Sequence, residues 1–248
     1  MGSRLELAGR GDLALLTAAT PPAGTDRFAS SGLERAGNQC RRVKTGATCT
    51  FRQLLQYDWP PHWPGIRALC EGMASLASFK VAHLATIGGN LCLALSVGVV
   101  APVLIALEAT YTLIDLQGSL RHIPAQDFQI GPQQTLLQPR EALRSIWIPA
   151  QRLRGPSTFQ RLGITQTDPA LVIVAGSRDP DSGNYRFGLN AALSPPQLVR
   201  LGSRPNPEHL PQLLAEQAHG WIADFRASAL YRQRMSEVLI RRCIDILG

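Results

Sequence analysis

No stretch of this 248-residue chain reaches the roughly 18 uncharged apolar residues that a membrane span requires. The longest apolar run, Leu91 to Leu107, is broken by Pro102 and by small polar residues. The N-terminus lacks the basic-then-apolar pattern of a secretory signal, so the expected compartment is the cytoplasm, with no membrane partner. The five cysteines, Cys40, Cys49, Cys70, Cys92 and Cys243, never form a C-x-x-C pair. Neither a zinc site nor a cysteine-held iron–sulfur cluster is therefore expected, and the set reads as reduced, buried thiols. No Ser/His/Asp or Cys/His set stands in a nucleophile motif, so no side chain is assigned a catalytic role. The formal charge is +7, but the basic residues are spread out. Without a basic block or an aromatic stripe, nucleic acid is not an expected partner. The excess reads as a basic surface, useful for solubility or for an acidic partner. Only 17% of residues are charged and 45% are hydrophobic, which excludes disorder and allows one large or two small domains.

Against these absences one stretch stands out, Leu84-Ala85-Thr86-Ile87-Gly88-Gly89-Asn90-Leu91-Cys92. A helical pattern precedes it: between Gly65 and Lys80, Ile66, Leu69, Cys70, Met73, Leu76 and Ala77 share one face. The Gly-Gly pair is expected to form a turn that reaches positive φ. Successive amides in such a turn can hold an anion. Thr86 and Asn90 add a hydroxyl and an amide suited to phosphate or ribose oxygens. On turn statistics alone, such a pair is more often a plain turn.

Further along, Phe51 to Gln56 reads as a helix that Thr50 or Thr48 can cap, and Pro60 to Pro64 as a loop. Pro102 to Ala109 reads as a helix with proline in its first turn. Tyr111–Leu116 and Leu120–Pro124 form a hairpin around Gln117-Gly118-Ser119. The polar Gln151-Arg152-Leu153-Arg154-Gly155-Pro156 marks a domain boundary. Beyond it, Ala170–Ala175 and Tyr185–Leu193 read as strands joined by a turn, and Pro207 to Gly220 as helical. Asp224 is placed to cap a last helix with the stripe Tyr231, Met235, Val238, Leu239, Cys243 and Ile246.

The string A-T-I-G-G-N-L-C resembles the flavin-binding motif of the FAD-binding subunits of molybdopterin dehydrogenases, the xanthine dehydrogenase FAD subunits and carbon monoxide dehydrogenase medium subunits. Other strings fit in order. Ala8-Gly9-Arg10-Gly11-Asp12-Leu13 resembles the family's first FAD loop, A-G-G-T-D-L, with Arg10 and Gly11 as departures. The Arg10 guanidinium could bind the pyrophosphate or obstruct it. Ala23-Gly24-Thr25-Asp26 is a second, lower-ranked candidate. Thr45-Gly46-Ala47-Thr48-Cys49-Thr50 is similar to the family's I-G-A-x-T. Asp127-Phe128-Gln129-Ile130-Gly131 matches D-F-x-x-G. Thr135 to Pro149 matches T-x-L-x-P-x-E-L-L-x-x-I-x-I-P, which puts Leu143 where the family has a leucine against the isoalloxazine; by itself Leu143 reads as ordinary core. Asp224 to Arg232 resembles D-x-R-G-S-A-x-Y-R of the family's C-terminal domain. The resemblance runs from about Leu5 to Leu247.

The resemblance implies an α+β fold. Residues 1–150 would form an FAD-binding domain of the vanillyl-alcohol-oxidase-like type, and 156–248 a small antiparallel sheet packed with helices. Members usually carry a strand and a helix before the first FAD loop, so the N-terminal part is expected to be incomplete. The cofactor implied is FAD, and the residues implied to bind it are Ala8, Gly9, Arg10, Gly11, Asp12, Ala47, Thr48, Thr86, Ile87, Gly88, Gly89, Asn90, Leu143, Gln160 and Arg161. Gln160 and Arg161 stand where members often have a lysine near the flavin, and Val99 where xanthine dehydrogenase relatives have an acidic residue. The implied function is that of the FAD subunit of a heterotrimeric molybdenum hydroxylase. Its partners would be a molybdopterin-binding large subunit and a 2Fe-2S small subunit, and NAD, oxygen or another acceptor would take the electrons. Two other functions stay open: a degenerate homologue serving as a structural partner, and a stand-alone flavin oxidoreductase.

Overall fold

The computed structural model describes residues 32–36, 39–76, 79–165, 168–203 and 206–248. In chain order the first half contains β1 (Gly32–Ala36), β2 (Gln39–Gly46), α1 (Phe51–Gln56), α2 (Arg67–Ser75), α3 (Phe79–Leu84), α4 (Ile87–Leu93) and α5 (Val100–Ala106). Next come β3 (Thr110–Ile114), β4 (Leu120–Pro124), α6 (Ala125–Phe128), β5 (Gln129–Gly131), β6 (Gln134–Thr135), β7 (Ala142–Pro149) and α7 (Ala150–Arg154). The remainder is β8 (Ser157–Leu162), β9 (Val172–Arg178), β10 (Tyr185–Asn190), β11 (Gln197–Leu201), α8 (Leu210–Gln217) and α9 (Ala229–Leu247).

Two larger sheets organise these elements. The first is five-stranded in the order β1-β2-β7-β3-β4, and the second four-stranded in the order β11-β10-β9-β8. Every pairing in both is antiparallel. The period of two along β9 shows how the second sheet is covered. Val172 and Val174 join a core formed with Leu239, Ile240, Cys243 and Leu247 of α9. Ile173 and Ala175, pointing the other way, join the core that contains α5. A strand covered on both faces has no polar side, which is why this stretch reads as a continuous apolar run.

The apolar stretch Val100–Ala106 is likewise buried on all sides. Helix α5 packs on α2, α4 and α6 and on β9, β10 and β11 of the second sheet, and it shares one apolar core with Tyr111 and Leu113 of β3 and Ile146 and Ile148 of β7. Close approach is built into β10: a Cβ on Gly188 would fall 1.9 Å from the Pro102 carbonyl oxygen. At the outer edge of the second sheet, the Phe159 amide of β8 donates to Glu71 of α2 at 3.0 Å. Ser157 accepts from the Ala68 amide and donates to the Gly65 carbonyl. The helix thereby covers an edge strand that would otherwise offer open hydrogen-bonding groups.

A charged cluster forms a second link between the layers. Glu108, directly after α5, meets Arg152 of α7 at 2.7 Å, Arg186 of β10 at 3.2 Å and Arg200 of β11 at 3.2 Å. Arg152 and Arg186 also pair with Asp179 in the β9–β10 turn.

Several boundaries differ from the sequence expectation. The Gly65–Lys80 pattern resolves into a 3-10 turn, Pro64–Ile66, and the shorter α2; Ala77 lies outside the described residues. The last helix is capped by Ser228, which accepts from the Tyr231 amide, and not by Asp224. Asp224 instead holds the preceding turn, accepting from the amides of Arg226 and Ala227 at 2.9 and 3.1 Å. The buried face of α9 is also rotated. Arg232, Ser236, Leu239, Ile240, Cys243 and Leu247 face inward, while Tyr231, Val238 and Ile246 are exposed. The cause is Arg232, which is fully buried. It donates to the carbonyls of Leu171 and Ala191, and its guanidinium lies 2.8 Å from Asp224. A charge with that set of partners is kept inside, and the helix turns to admit it.

Candidate functional site

Three of the strings picked out in the sequence meet at one place. β2 ends at Gly46, and the chain turns through Ala47 and Thr48. Thr50 then caps α1 in a capping box with Gln53. The Ala47 amide donates to the Arg144 carbonyl of β7 at 3.0 Å, beside Leu143. The Ala47 carbonyl accepts from the Gly88 amide at 2.8 Å. The Cys49 carbonyl accepts from Ile87 at 2.9 Å, and Thr50 and Thr86 form a β-bridge. Ala47, Ile87, Gly88 and the strand carrying Leu143 are therefore neighbours through hydrogen bonds, although they are far apart in the chain.

The Gly-Gly pair is not the turn expected from the sequence. Gly88 and Gly89 lie in the first turn of α4, and neither is among the glycines with positive φ. Thr86 is the N-cap, and its Oγ1 accepts from the Gly89 amide at 3.0 Å. The glycines matter here for their missing side chains. A Cβ on Gly88 would stand 2.6 Å from both the Cβ and the carbonyl oxygen of Ala47. A Cβ on Gly89, which is exposed, would meet Thr86 Oγ1 at 2.9 Å and nothing else within 4 Å.

This geometry changes which atoms can hold a ligand. The amides of Ile87, Gly88, Gly89 and Asn90 donate to Cys49 O, Ala47 O, Thr86 Oγ1 and Thr86 O respectively. The Asn90 bond is the first regular bond of the helix, and the three first-turn amides ahead of it, Ile87, Gly88 and Gly89, are occupied, so the expected anion nest of these amides is not formed. Thr48 and Gly89, each one residue beyond the bonded Ala47–Gly88 pair, form an exposed ledge, and Asn90 next to Gly89 is half-buried. Asn90 Oδ1 is buried without a hydrogen-bond partner, an orphan of the kind that marks a polar group awaiting one. A small side chain, an exposed glycine ledge and an unpaired carboxamide fit a flat, polar cofactor.

The other expected residues are placed differently. Leu143 is buried in the first core and pairs with Leu113 of β3. Gln160 and Arg161 sit near the end of β8 and are half-buried. Arg161 lines an open cleft of about 590 Å³ with Ser75, Leu162, Gly163, Ile164 and Thr165, and it donates to the Asp168 carbonyl. Ala8, Gly9, Arg10, Gly11 and Asp12 lie outside the described residues, as does the alternative Ala23–Asp26. Val99 is buried and opens α5 as an apolar residue. Burial pushes the Cys92 thiol of α4 up to about 11, so it stays protonated near neutral pH. Among the described residues no group of three or more His, Cys, Asp or Glu side chains could hold a metal ion, and no helix is long and apolar enough to cross a membrane.

Two residues close to Asn90 carry no motif signal. Gly98 and Asn190 lie beside it, and Asn190 comes from β10 in the other sheet. Its only sequence trace is a carboxamide inside an otherwise apolar strand end.

Comparison with known proteins covers the same region. Residues 31–151 match the family described as the FAD binding domain in molybdopterin dehydrogenase. The chain is 33% identical over 106 residues to a xanthine dehydrogenase of Oryza sativa subsp. japonica, which is 42% of this chain and 8% of that one. It is 27% identical over 182 residues to the nicotine 6-hydroxylase medium subunit of Paenarthrobacter nicotinovorans, covering 70% and 64%. It is 32% identical over 147 residues to the xanthine dehydrogenase FAD-binding subunit of Escherichia coli O157:H7, covering 58% and 49%. The chain thus spans less than a tenth of that plant enzyme and about half to two thirds of the two bacterial subunits. In fold it is similar to a chain of the CO dehydrogenase from Oligotropha carboxidovorans, with a TM-score of 0.74 at 23% identity over 87% of this chain and 77% of that one.

Proposed function

We infer from residues 31–151, which belong to the FAD-binding domain family of molybdopterin dehydrogenases, that this chain is the FAD-binding subunit of a molybdenum hydroxylase. The observation that carries this reading is the junction at Ala47. Its amide and carbonyl tie the β7 strand beside Leu143 to Gly88 of α4, and so bring three separate stretches together, which supports reading them as one site. FAD held there supplies the redox chemistry, and the protein supplies binding, orientation and electrostatics.

Thr48, Gly89 and Asn90 are the described groups that would face the cofactor, with Thr86 and Ala47 holding them in place. Ala8, Gly9, Arg10, Gly11 and Asp12 complete the site in this reading, and Leu143 backs it from the core. Gln160 and Arg161 supply the polar and cationic edge, with the cleft beside Arg161 as the approach for the electron acceptor. The chain divides into an FAD-binding part up to about residue 150 and a C-terminal part from about 156. In this reading the bound FAD would take electrons from the 2Fe-2S centres of a small subunit, fed by a molybdopterin-binding large subunit, and would pass them to NAD, oxygen or another acceptor.

The test is the visible absorption of the purified chain after incubation with FAD. One bound flavin per folded chain is expected. A folded chain that takes up no flavin would favour the other reading, a structural homologue. The occupied amides of α4 are the observation that keeps that alternative in view.

A further inference from the structure

Asn190 is fully buried near the end of β10, between Leu189 and Ala191. Its Nδ2 donates to the Gly98 carbonyl at 2.8 Å, across 92 residues of chain. Gly98 closes a turn by donating to the Leu95 carbonyl, also at 2.8 Å. That turn faces Asn90. The point where a Cβ on Gly98 would stand is 3.6 Å from Asn90 Oδ1 and 3.9 Å from Asn190 Nδ2. Glycine therefore lets two carboxamides, one from the first layer and one from the second, approach the same backbone. Both Asn90 Oδ1 and Asn190 Oδ1 are buried without a hydrogen-bond partner. Burying two unpaired acceptors is costly, and a purely structural contact would be better served by apolar residues.

We propose that Asn190 is a positioning residue for the flavin, acting through Gly98 and Asn90. This rests on the proposed FAD site. Asn190 fixes the Gly98 carbonyl, and with it the turn against which the Asn90 carboxamide packs. Asn90 is thereby held in one orientation within the proposed site. The second sheet, which supplies none of the residues on the ledge of Thr48 and Gly89, would act on the site through this contact, in addition to Gln160 and Arg161 of β8.

The experiment is a double-mutant cycle on FAD affinity, read by quenching of flavin fluorescence, with the thermal midpoint of the flavin-free chain measured alongside. Asn190→Ala should weaken FAD binding by roughly tenfold, the loss of one buried hydrogen bond. In the double variant with Asn90→Ala, binding should be no weaker than in the worse single variant. Leu189→Ala, on the opposite face of the same strand, should lower the midpoint and leave the affinity unchanged. If Asn190→Ala does not fold, Asn190→Ser, which keeps a donor, takes its place and should weaken binding by less. An unchanged affinity in the Asn190 variant, multiplicative losses in the double variant, or an equal loss in Leu189→Ala would each overturn the proposal while leaving the FAD site in place. Failure of the unaltered chain to bind FAD would remove the site itself, and the proposal with it.

Discussion

The Gly88 amide donates to the Ala47 carbonyl at 2.8 Å, and a side chain on Gly88 would place its Cβ 2.6 Å from that same oxygen. The contact is possible only for glycine. Gly88→Ala gains about 1 kcal/mol of helix propensity. It must also push the Ala47 backbone away, and overpacking of this kind costs about 1–3 kcal/mol before the lost hydrogen bond is counted. A net loss of about 2 kcal/mol is expected, visible as a lower urea midpoint with an unchanged slope. A variant as stable as the unaltered chain would show that the two segments are not in contact.

Glu108 and Asp179 predict an acid limit. Burial alone would raise the Glu108 carboxyl, but Arg186, Arg152 and Arg200 hold it below its ordinary value. Burial opposes ionisation of Asp179 as well, and is outweighed by the Ser182 and Asp181 amides and by Arg186 and Arg152. Carboxyls lowered in the folded state contribute stability above their unfolded values, near 4, and lose it as pH falls through the folded ones. The thermal midpoint should therefore be flat from pH 7 to about 5 and fall below about 4. Asp179→Asn should be less stable at pH 7, with a shallower acid decline. An acid decline as steep as that of the unaltered chain would place the sensitivity elsewhere.

Asp224 and Arg232 give a sharper test, because Arg232 is wholly inside. Asp224→Asn keeps an oxygen for the turn amides but removes the charge opposite the guanidinium. Uncovering a buried charge in this way should cost about 2–4 kcal/mol, moderated by the partial exposure of Asp224. Phe225→Ser, one residue on, should cost almost nothing, since Phe225 is 98% exposed. Equal midpoints for the two variants would refute the pairing.

How far the sequence could be read differs from element to element. The Thr50 cap, the β3–β4 hairpin and the paired apolar strands follow local rules, and the structure contains them. The rotation of α9 was hidden because it depends on a charged residue being inside, against the usual distribution. The two carbonyls to which it donates lie 41 and 61 residues away. The Gly-Gly pair was legible as special but ambiguous in kind. Glycine marks either a positive φ or a missing Cβ, and only the contact with Ala47 shows that the second applies. Asn190 could not have been found from spacing, since its role depends on how the two layers meet.

Arg140 offers a local test free of such long-range terms. Gln138-Pro139-Arg140-Glu141 closes with the Glu141 amide donating to Gln138 O at 3.0 Å, and Arg140 has a φ of 70°. Proline followed by a positive φ is the pattern of a type II turn, in which glycine is preferred at the third residue. Arg140 is exposed, so little packing is lost on removing it. Arg140→Gly should raise stability by about 0.5 kcal/mol, the relief of left-handed strain exceeding the added freedom of the unfolded chain. A lower midpoint would contradict the turn geometry.

The last prediction separates folding from flavin binding. Gly89 sits in helical conformation one residue beyond Gly88, but it faces outward, and only Thr86 Oγ1 lies within reach of an added Cβ. Valine there should be tolerated by the fold: the helix gains some propensity, and the Thr86 hydroxyl moves or releases one amide, at about 1 kcal/mol. For a cofactor lying on the ledge the effect is different. The isopropyl group would occupy the ledge itself and break at least two polar contacts. At about 1.5 kcal/mol each, that weakens binding by roughly a hundredfold. Asn90→Ala, which deletes one contact and adds no bulk, should weaken it by about tenfold. The readout is flavin per folded chain after gel filtration, with circular dichroism confirming the fold. The order expected is unaltered chain, Asn90→Ala, then Gly89→Val. If Gly89→Val retained as much FAD as the unaltered chain, the ledge could not be the flavin site; if it lost its fold instead, the outward position of Gly89 would be wrong.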